Sequence, residues 1–421
     1  MAKQRIYMCI DMKSFFASVE CAERGLNPFE TNLVVADETR GYGTICLAIT
    51  PKMKALGVKN RCRRFEIPKN IRYIVAKPRM RKYIEYAAEI YGIYLDYMDK
   101  QDIYVYSIDE SFIDATDYLQ IYGKTPQEYA KMLIGEIARR THIPATAGIG
   151  TNLYLAKIAL DITAKKNTDR IGYLDEQLFQ ETLWDHQPLT DFWGIARGIS
   201  NRLMRKGIYN MRGIANCPEE ILYKEFGINA ELLIDHAWGR ESCTMADIKN
   251  YKSKSRSVSN SQILFKDYPY DQAKIVMEEM VRSGCYELMK RKVITNKVSI
   301  FVGYSKDVHA PTGGRTKMNE TTNLPKIIVP YVMQLFEKTT AKGVPIRRLG
   351  IGFDDVCNEG CEGYDLFTNW EVVEREKRLA RATLDLQRKF GKNAIVMASD
   401  LQEGATLIER NKLIGGHNAD E

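Results

Sequence analysis

The sequence predicts an α+β chain of several domains, and three observations carry that expectation. Strand-like and helix-like segments alternate through the first 165 residues. Residues 170 to about 240 read as helical with short connections. A second alternation follows, in the segment that holds the whole positive excess of the chain. The 421 residues are 45% hydrophobic and 27% charged, a globular composition with length for about three domains.

Taken in order, "RIYMCID" (5–11) reads as a strand and "SFFASVECA" (14–22) has helical spacing. "NLVVAD" and "GTICLAIT" read as strands, and Pro51 opens a short helix closed by Gly57. "NIRYIVA" (70–76) is a strand and Arg79 to Met98 a long helix. "DIYVYSID" and "SFIDAT" are strands meeting at an acidic pair. "TPQE" (125–128) is a capping box ahead of a helix through Tyr129, Leu133 and Ile137; "ATAGIG" is a strand, and Asn152 to Lys165 a helix. A polar stretch, "KSKSRSVSNSQ" (252–262), reads as a linker running into a strand. Beyond it come a helix (270–290), a strand (297–304), a Gly-rich turn at 313–314, a strand, a helix (326–341) and a strand (345–354), two βαβ-like halves of a small α+β domain. A charged amphipathic helix from Trp370 to Phe390 leads into the tail.

No apolar run approaches the ~18 residues of a membrane span. Asp11 interrupts the N-terminal apolar run before it reaches signal-peptide length. Nine cysteines without a CxxC pair fit a reduced, cytoplasmic protein, and the CxxxC of Cys357 and Cys361 lacks the two further ligands of a zinc site. Residues 251–356 hold 18 Lys and Arg against 10 Asp and Glu, a balance of +8, while the other 315 residues sum to −1. Such a segment is either a polyanion surface, most often for nucleic acid, or a solvated basic face.

"YVYSIDESFIDAT" (104–116) places Asp109 and Glu110 side by side among sheet-forming residues. Neighbouring strand residues point to opposite faces, so one acid would face the core unpaired. At the junction of two strands, both lean toward one point and a cation relieves their repulsion. Asp11 ends the first strand and is a third carboxylate. Three strand-end acids suit hard divalent ions such as Mg²⁺, two of which about 4 Å apart serve in-line phosphoryl transfer. Unrelated surface acids are the alternative.

"IDMKSFFASVE" and "YSIDESFIDAT" together resemble the two palm motifs of the Y-family, or translesion, DNA polymerases. "GTICLAITPKMKALGVK" (43–59) resembles their fingers motif, "TAGIGTNLYLAKIALDITAKK" (146–166) the motif closing the palm, and "WGIARGISNRL" (193–203) the helix-hairpin-helix of the thumb. The likeness covers roughly residues 5 to 355, with "KALGVK" favouring the UmuC-like branch over the polymerase IV branch. It implies a right-hand polymerase with a mixed α/β palm (1–30 and 70–168), small fingers (31–69), a helical thumb (169–240), a linker (241–254), a βαββαβ little finger (255–356) and a C-terminal tail (357–421). The implied activity is error-prone translesion synthesis from dNTP on primer-template DNA, without a proofreading exonuclease. The alternatives are a non-catalytic DNA-binding relative and a palm-domain nucleotide cyclase.

The resemblance assigns Asp11, Asp109 and Glu110, with the Met12 carbonyl, to two Mg²⁺ ions. It places Phe16 as the steric gate that excludes a 2′-hydroxyl, with Phe15 beside it, Ile45 and Leu47 over the nascent base pair, and Lys54 at the triphosphate. Gly194, Ala196 and Gly198 of the thumb, and Arg256, Ser257 and Ser259 at the start of the little finger, fall on DNA. It further implies a monomeric, nucleoid-associated enzyme with accessory SOS proteins. Asp365-Leu366-Phe367 in "GYDLFTN" matches the end of a pentapeptide that binds the bacterial sliding clamp, although Gly363 and Tyr364 depart from the expected Gln-Leu.

Three further positions depart from the family pattern. Lys13 stands where many members have a second acid. Leu153 stands where polymerase IV-like members have a lysine, so a triphosphate contact is either missing or moved to Lys157 or Lys165. Ala196 and Ser200 replace a glycine and an alanine in the thumb hairpin, and Ala196 serves there only with negative φ.

Overall fold

The computed structural model describes residues 4–253, 256–363 and 369–419. They form two compact units, Met1–Lys252 with His417–Glu421, and Ser253–Gly416.

In the first unit, β1 (Tyr7–Met12) buries Met8, Cys9 and Ile10 completely. Ser14, at φ 52, turns the chain into α1 (Phe15–Ala22). Then β2 (Leu33–Val35), β3 (Ala48–Ile49), α2 (Pro51–Ala55) and β4 (Ile74–Ala76) make a small subdomain with strand order β3-β2-β4, closed over Val34, Cys46, Ile49 and Met53. α3 (Met80–Leu95) leads to the hairpin of β5 (Ile103–Val105) and β6 (Glu110–Asp114). α4 (Tyr118–Ile121) precedes α5 (Pro126–Thr141), which begins with the reciprocal Thr125–Glu128 capping box that its sequence predicts. β7 (Ala145–Gly150), α6 (Leu153–Ile158) with a π-helical turn at Ala159–Thr163, and β8 (Ile171–Leu174) complete a sheet of order β5-β6-β1-β7-β8.

β8 departs from the helical reading of residues 170 to about 240. Residues 171–174 pair in parallel with β7 as the fifth strand of this sheet. They do so because Gly172 lets the strand approach the preceding helical turn, where a Cβ would lie 2.5 Å from the Ala159 carbonyl oxygen. Four residues are too few to show a period in the sequence.

α7 (Glu176–Leu183), α8 (Arg197–Met204), α9 (Met211–Ala215), α10 (Glu219–Phe226) and α11 (Asn229–Ala237) share a core with Tyr154, Leu155 and Ile158 of α6. The expected linker 241–254 is in part a packed element. α12 (Met245–Asn250) has its own capping box and buries Met245 against Tyr7, Cys9, Phe112 and Leu153.

The second unit begins with β9 (Val258–Tyr268), α13 (Tyr270–Lys290), β10 (Val293–Tyr304), β11 (Thr312–Thr322), α14 (Pro325–Thr339) and β12 (Ile346–Asp354). Its antiparallel sheet has the order β11-β10-β12-β9. Met277, Met280, Val302, Phe336, Leu349 and Phe353 meet in the core. Gly313 and Gly314, expected in a turn, lie inside β11. Gly313 has φ 137, and a Cβ there would meet the Ile300 carbonyl oxygen at 2.2 Å, so backbone approach, not chain reversal, requires the glycine. β13 (Cys357–Asn358) adds a short pairing to β10.

The tail of the second unit, with α15 (Trp370–Phe390) and α16 (Leu407–Asn411), is docked by polar contacts to α13. Fully buried Glu279 accepts hydrogen bonds from the backbone N–H groups of Thr406 (2.9 Å) and Leu407 (3.2 Å). Arg282 pairs with Asp400 at 2.7 Å, and Arg410 donates to Gln262 at 2.9 Å. Contacts so distant in sequence have no signature in a local pattern.

Candidate active site

The acid cluster is built by strand pairing. β1 is the central strand, and Asp11, near its C-terminal end, is the direct partner of Glu110 on β6. Asp109 closes the β5–β6 turn, and its carbonyl accepts the Met12 N–H at 2.9 Å. The three carboxylates are therefore neighbours at one corner of the sheet, as the two sequence motifs imply. Burial, reinforced by the charges of Asp109 and Glu110, pushes the Asp11 carboxyl up to about 7. Asp109 Oδ1 accepts from Ser107 Oγ at 2.7 Å. Glu110 Oε1 accepts from Lys157 Nζ at 2.8 Å and Cys9 Sγ at 3.0 Å. With those partners, the carboxylates are adjacent without being drawn onto a common point, and among the described residues no group of three His, Cys, Asp or Glu is gathered in a cation-holding arrangement.

Lys157 has partners that the sequence did not suggest. It is 7% exposed and paired with Glu110 at 2.8 Å and with Asp161 at 3.1 Å. Burial alone would depress its pKa, but the hydrogen bond to Glu110 and the surrounding acidic groups raise it. The helix reaches this depth because β7 is glycine-notched: a Cβ on Gly148 or Gly150 would sit 2.2 Å from the backbone of α6. Leu153, in place of the family's lysine, is buried.

A basic rim borders the acids. Partial burial and Arg170 lower the Lys13 pKa, while Asp11 opposes them. Lys54, on α2, is lowered by the surrounding protein against the pull of Asp11, with Lys13 and Lys165 adding to the fall. Lys13, Lys54, Lys165 and Arg170 thus share one electrostatic neighbourhood. Arg170 lies 4.3 Å over the Phe29 ring, with Lys13 Nζ 5.9 Å from the same ring. Sequence reading missed Arg170, whose one local signal is the polar run "KKNTDR" beyond the helix. Ile45 is exposed and Leu47 half-buried, alternating with Cys46, which belongs to the small subdomain's core, and with the buried Ala48.

The two phenylalanines differ in burial. Phe15 is 2% exposed; Phe16 is half-buried and stacks on Tyr83. Tyr83 donates to Glu20 at 2.8 Å, and Arg79 grips the same carboxylate through two 3.0 Å hydrogen bonds. Burial works to raise the Glu20 pKa, but hydrogen bonds from Arg79, Arg24 and Tyr83 hold it below the usual range.

Two surfaces suit a polyanion. In the α8 hairpin, Gly194 has φ 90, while Ala196 has φ −84 and serves as the N-cap, satisfying the condition set by its side chain. Ala196, Arg197 and Gly198 are exposed, so the helix N-terminus is open. On the second unit's sheet, Ser259, Gly352, Ser299 and Arg315 form one cross-strand row, and Ser261, Gly350, Phe301 and Gly313 the next. These small residues alternate with the buried Leu349, Ile351 and Phe353, leaving backbone bare beside Arg315, Lys317 and Arg348. Arg256 and Ser257 lead into this face, and the Arg256 carbonyl accepts from Val356 N–H at 2.8 Å. Asp365, Leu366 and Phe367 lie outside the described residues.

Comparison with known proteins agrees with this geometry. The impB/mucB/samB family matches residues 10–161, and the C-terminal domain of that family matches residues 255–366. A Bacillus subtilis protein described as a UV-damage repair protein, UvrX, is 32% identical over 98% of this chain and 97% of its own length. DNA polymerase IV 2 of the same organism is 31% identical over 99% and 100% respectively. DNA polymerase IV 2 of Halalkalibacterium halodurans is 28% identical over 98% and 99%. A solved Y-family DNA polymerase chimera superposes with a TM-score of 0.63 at 21% identity, covering 84% of this chain and all of its own, a likeness of fold.

Proposed function

The chain belongs to the Y family of DNA polymerases, and from that membership we propose that it extends a DNA primer along a damaged template by two-metal nucleotidyl transfer. The observation that carries the reading is the pairing of Asp11 with Glu110 beside Asp109, bordered by Lys13, Lys54, Lys165 and Arg170. The three carboxylates stand together at one corner of the sheet, where burial first and the charges of Asp109 and Glu110 second raise the Asp11 pKa, and their oxygens are hard donors suited to Mg²⁺. Asp11, Asp109 and Glu110, with the Met12 carbonyl, are the residues to hold the ions. When bound, Mg²⁺ supplies Lewis-acid activation of the attacking 3′-hydroxyl and charge stabilisation at the leaving pyrophosphate.

The chain's own groups do the rest. The basic rim neutralises a triphosphate. Phe16, braced by Tyr83, takes the space of a 2′-hydroxyl. Ile45 and Leu47 cover the base pair. The α8 N-terminus and the Gly/Ser-floored sheet face hold phosphates by backbone and basic contacts. The cyclase alternative has no use for two such surfaces. On sequence alone, Asp365-Leu366-Phe367 is the clamp-binding segment, tested by loss of clamp binding in Leu366→Ala/Phe367→Ala. Among the described residues no helix is long and apolar enough to cross a membrane.

The deciding experiment is primer extension with Mg²⁺ and dNTPs on damaged and undamaged templates. Template-directed extension past the lesion supports the reading; DNA binding without extension would leave the non-catalytic alternative standing.

A further inference from the structure

We propose that Lys157 is a positioning residue that fixes Glu110 by one oxygen and thereby presents the other to the divalent cation. The inference rests on the metal reading above. Both side-chain donors that reach Glu110, Lys157 Nζ at 2.8 Å and Cys9 Sγ at 3.0 Å, converge on Oε1. Oε2 receives no hydrogen bond among the described residues, and it is not one of the buried side-chain atoms left without a partner. One oxygen is anchored by two donors, and the other is left without a side-chain donor among the described residues.

The anchor is itself held. Asp161 pairs with Lys157 at 3.1 Å from the π-helical turn, and Lys165 stands 3.8 Å from Asp161. An ammonium has three donors and no lone pair, so Lys157 never competes as a ligand. It offsets one of three carboxylate charges and restricts the rotamer of Glu110. Without it, the site is more negative and less ordered. Cation affinity then rises while turnover falls, a pairing that general loss of structure does not produce.

The test uses the full chain, with Mn²⁺ as the probe, titrated by electron paramagnetic resonance in the absence of DNA and nucleotide. Single-turnover insertion is measured alongside. Lys157→Met is expected to bind Mn²⁺ about tenfold tighter and to insert about 100-fold more slowly. Lys157→Arg, which keeps the charge, is expected to hold near-normal Mn²⁺ affinity and to recover part of the rate. Equal or weaker Mn²⁺ binding in Lys157→Met overturns the proposal. If that variant does not fold, Asp161→Asn carries the test: insertion slows about tenfold without a gain in Mn²⁺ affinity, and unchanged insertion overturns the role. Wild-type protein that binds Mn²⁺ no better than Asp109→Ala removes the metal reading itself. Wild-type binding without the gain in Lys157→Met removes only the role of Lys157.

Discussion

The ring of Tyr83 lies against the ring of Phe16, with centroids 4.6 Å apart and planes 20° from parallel. Phe16 rises from α1 and Tyr83 from α3, and the two helices are locked together beneath the rings. Glu20, fully buried on α1, accepts from Tyr83 of α3, from Arg79 at the N-cap of α3, and from Arg24 just beyond the end of α1. A side chain that discriminates by volume must resist displacement. Stacking from one side, with the stacking partner pinned through its hydroxyl, supplies that resistance.

Phe16→Ala is therefore expected to admit ribonucleotides about 100-fold more readily, a loss of roughly 2.7 kcal/mol of discrimination. Phe15→Ala removes a buried ring and is expected to cost about 3–5 kcal/mol of stability without altering sugar choice. Single-nucleotide insertion of dNTP against rNTP separates them. A change confined to Phe15→Ala would show the motif register to be displaced by one.

Glu20 also gives a pH dependence. Its folded pKa lies below its unfolded value, so its contribution is present above about 4.3, the ordinary glutamate pKa, and is lost as pH falls through the lower folded value. Glu20→Gln is expected to lower stability near neutral pH and to flatten the acid limb of the stability curve. Denaturant melts between neutral and acid pH check this. Parallel acid limbs for mutant and wild type would contradict the assignment.

Asp109→Ala and Glu110→Ala are expected to abolish extension while keeping primer-template affinity within about tenfold, because the proposed DNA-gripping surfaces contain neither acid. Fluorescence anisotropy and primer extension, run on the same preparations, measure the two effects. Near-normal extension by either variant would count against the two-metal site.

Affinity for DNA is expected to fall steeply with salt. Four phosphate contacts would give a slope of log K against log salt of about −3.6, and Arg315→Ala or Lys317→Ala should each reduce it by about 0.9 if the residue meets a phosphate. An unchanged slope in the double variant would place the DNA elsewhere than the Gly/Ser-floored face.

The local patterns in the sequence sufficed for much of this molecule. Alternation and capping predicted most strands and helices of both units, because "YMCIDM" and "TPQE" encode burial and helix initiation within a few residues. Motif order pointed to Asp11, Asp109 and Glu110, and the strand positions of Asp11 and Glu110 follow from the apolar runs around them. Other features required chain segments far apart in sequence to meet. β8 reads as thumb until Gly172 is seen against Ala159; Gly313 and Gly314 read as a turn until β11 is seen against β10. Lys157 gives no local sign of its partner until the notched β7 is seen to bring its helix against Glu110. Glu279 likewise gives no local sign that it holds residues 406 and 407. Periodicity records which face of an element is buried, whereas charge pairing and backbone approach depend on what that face meets, and only the folded chain decides the partner.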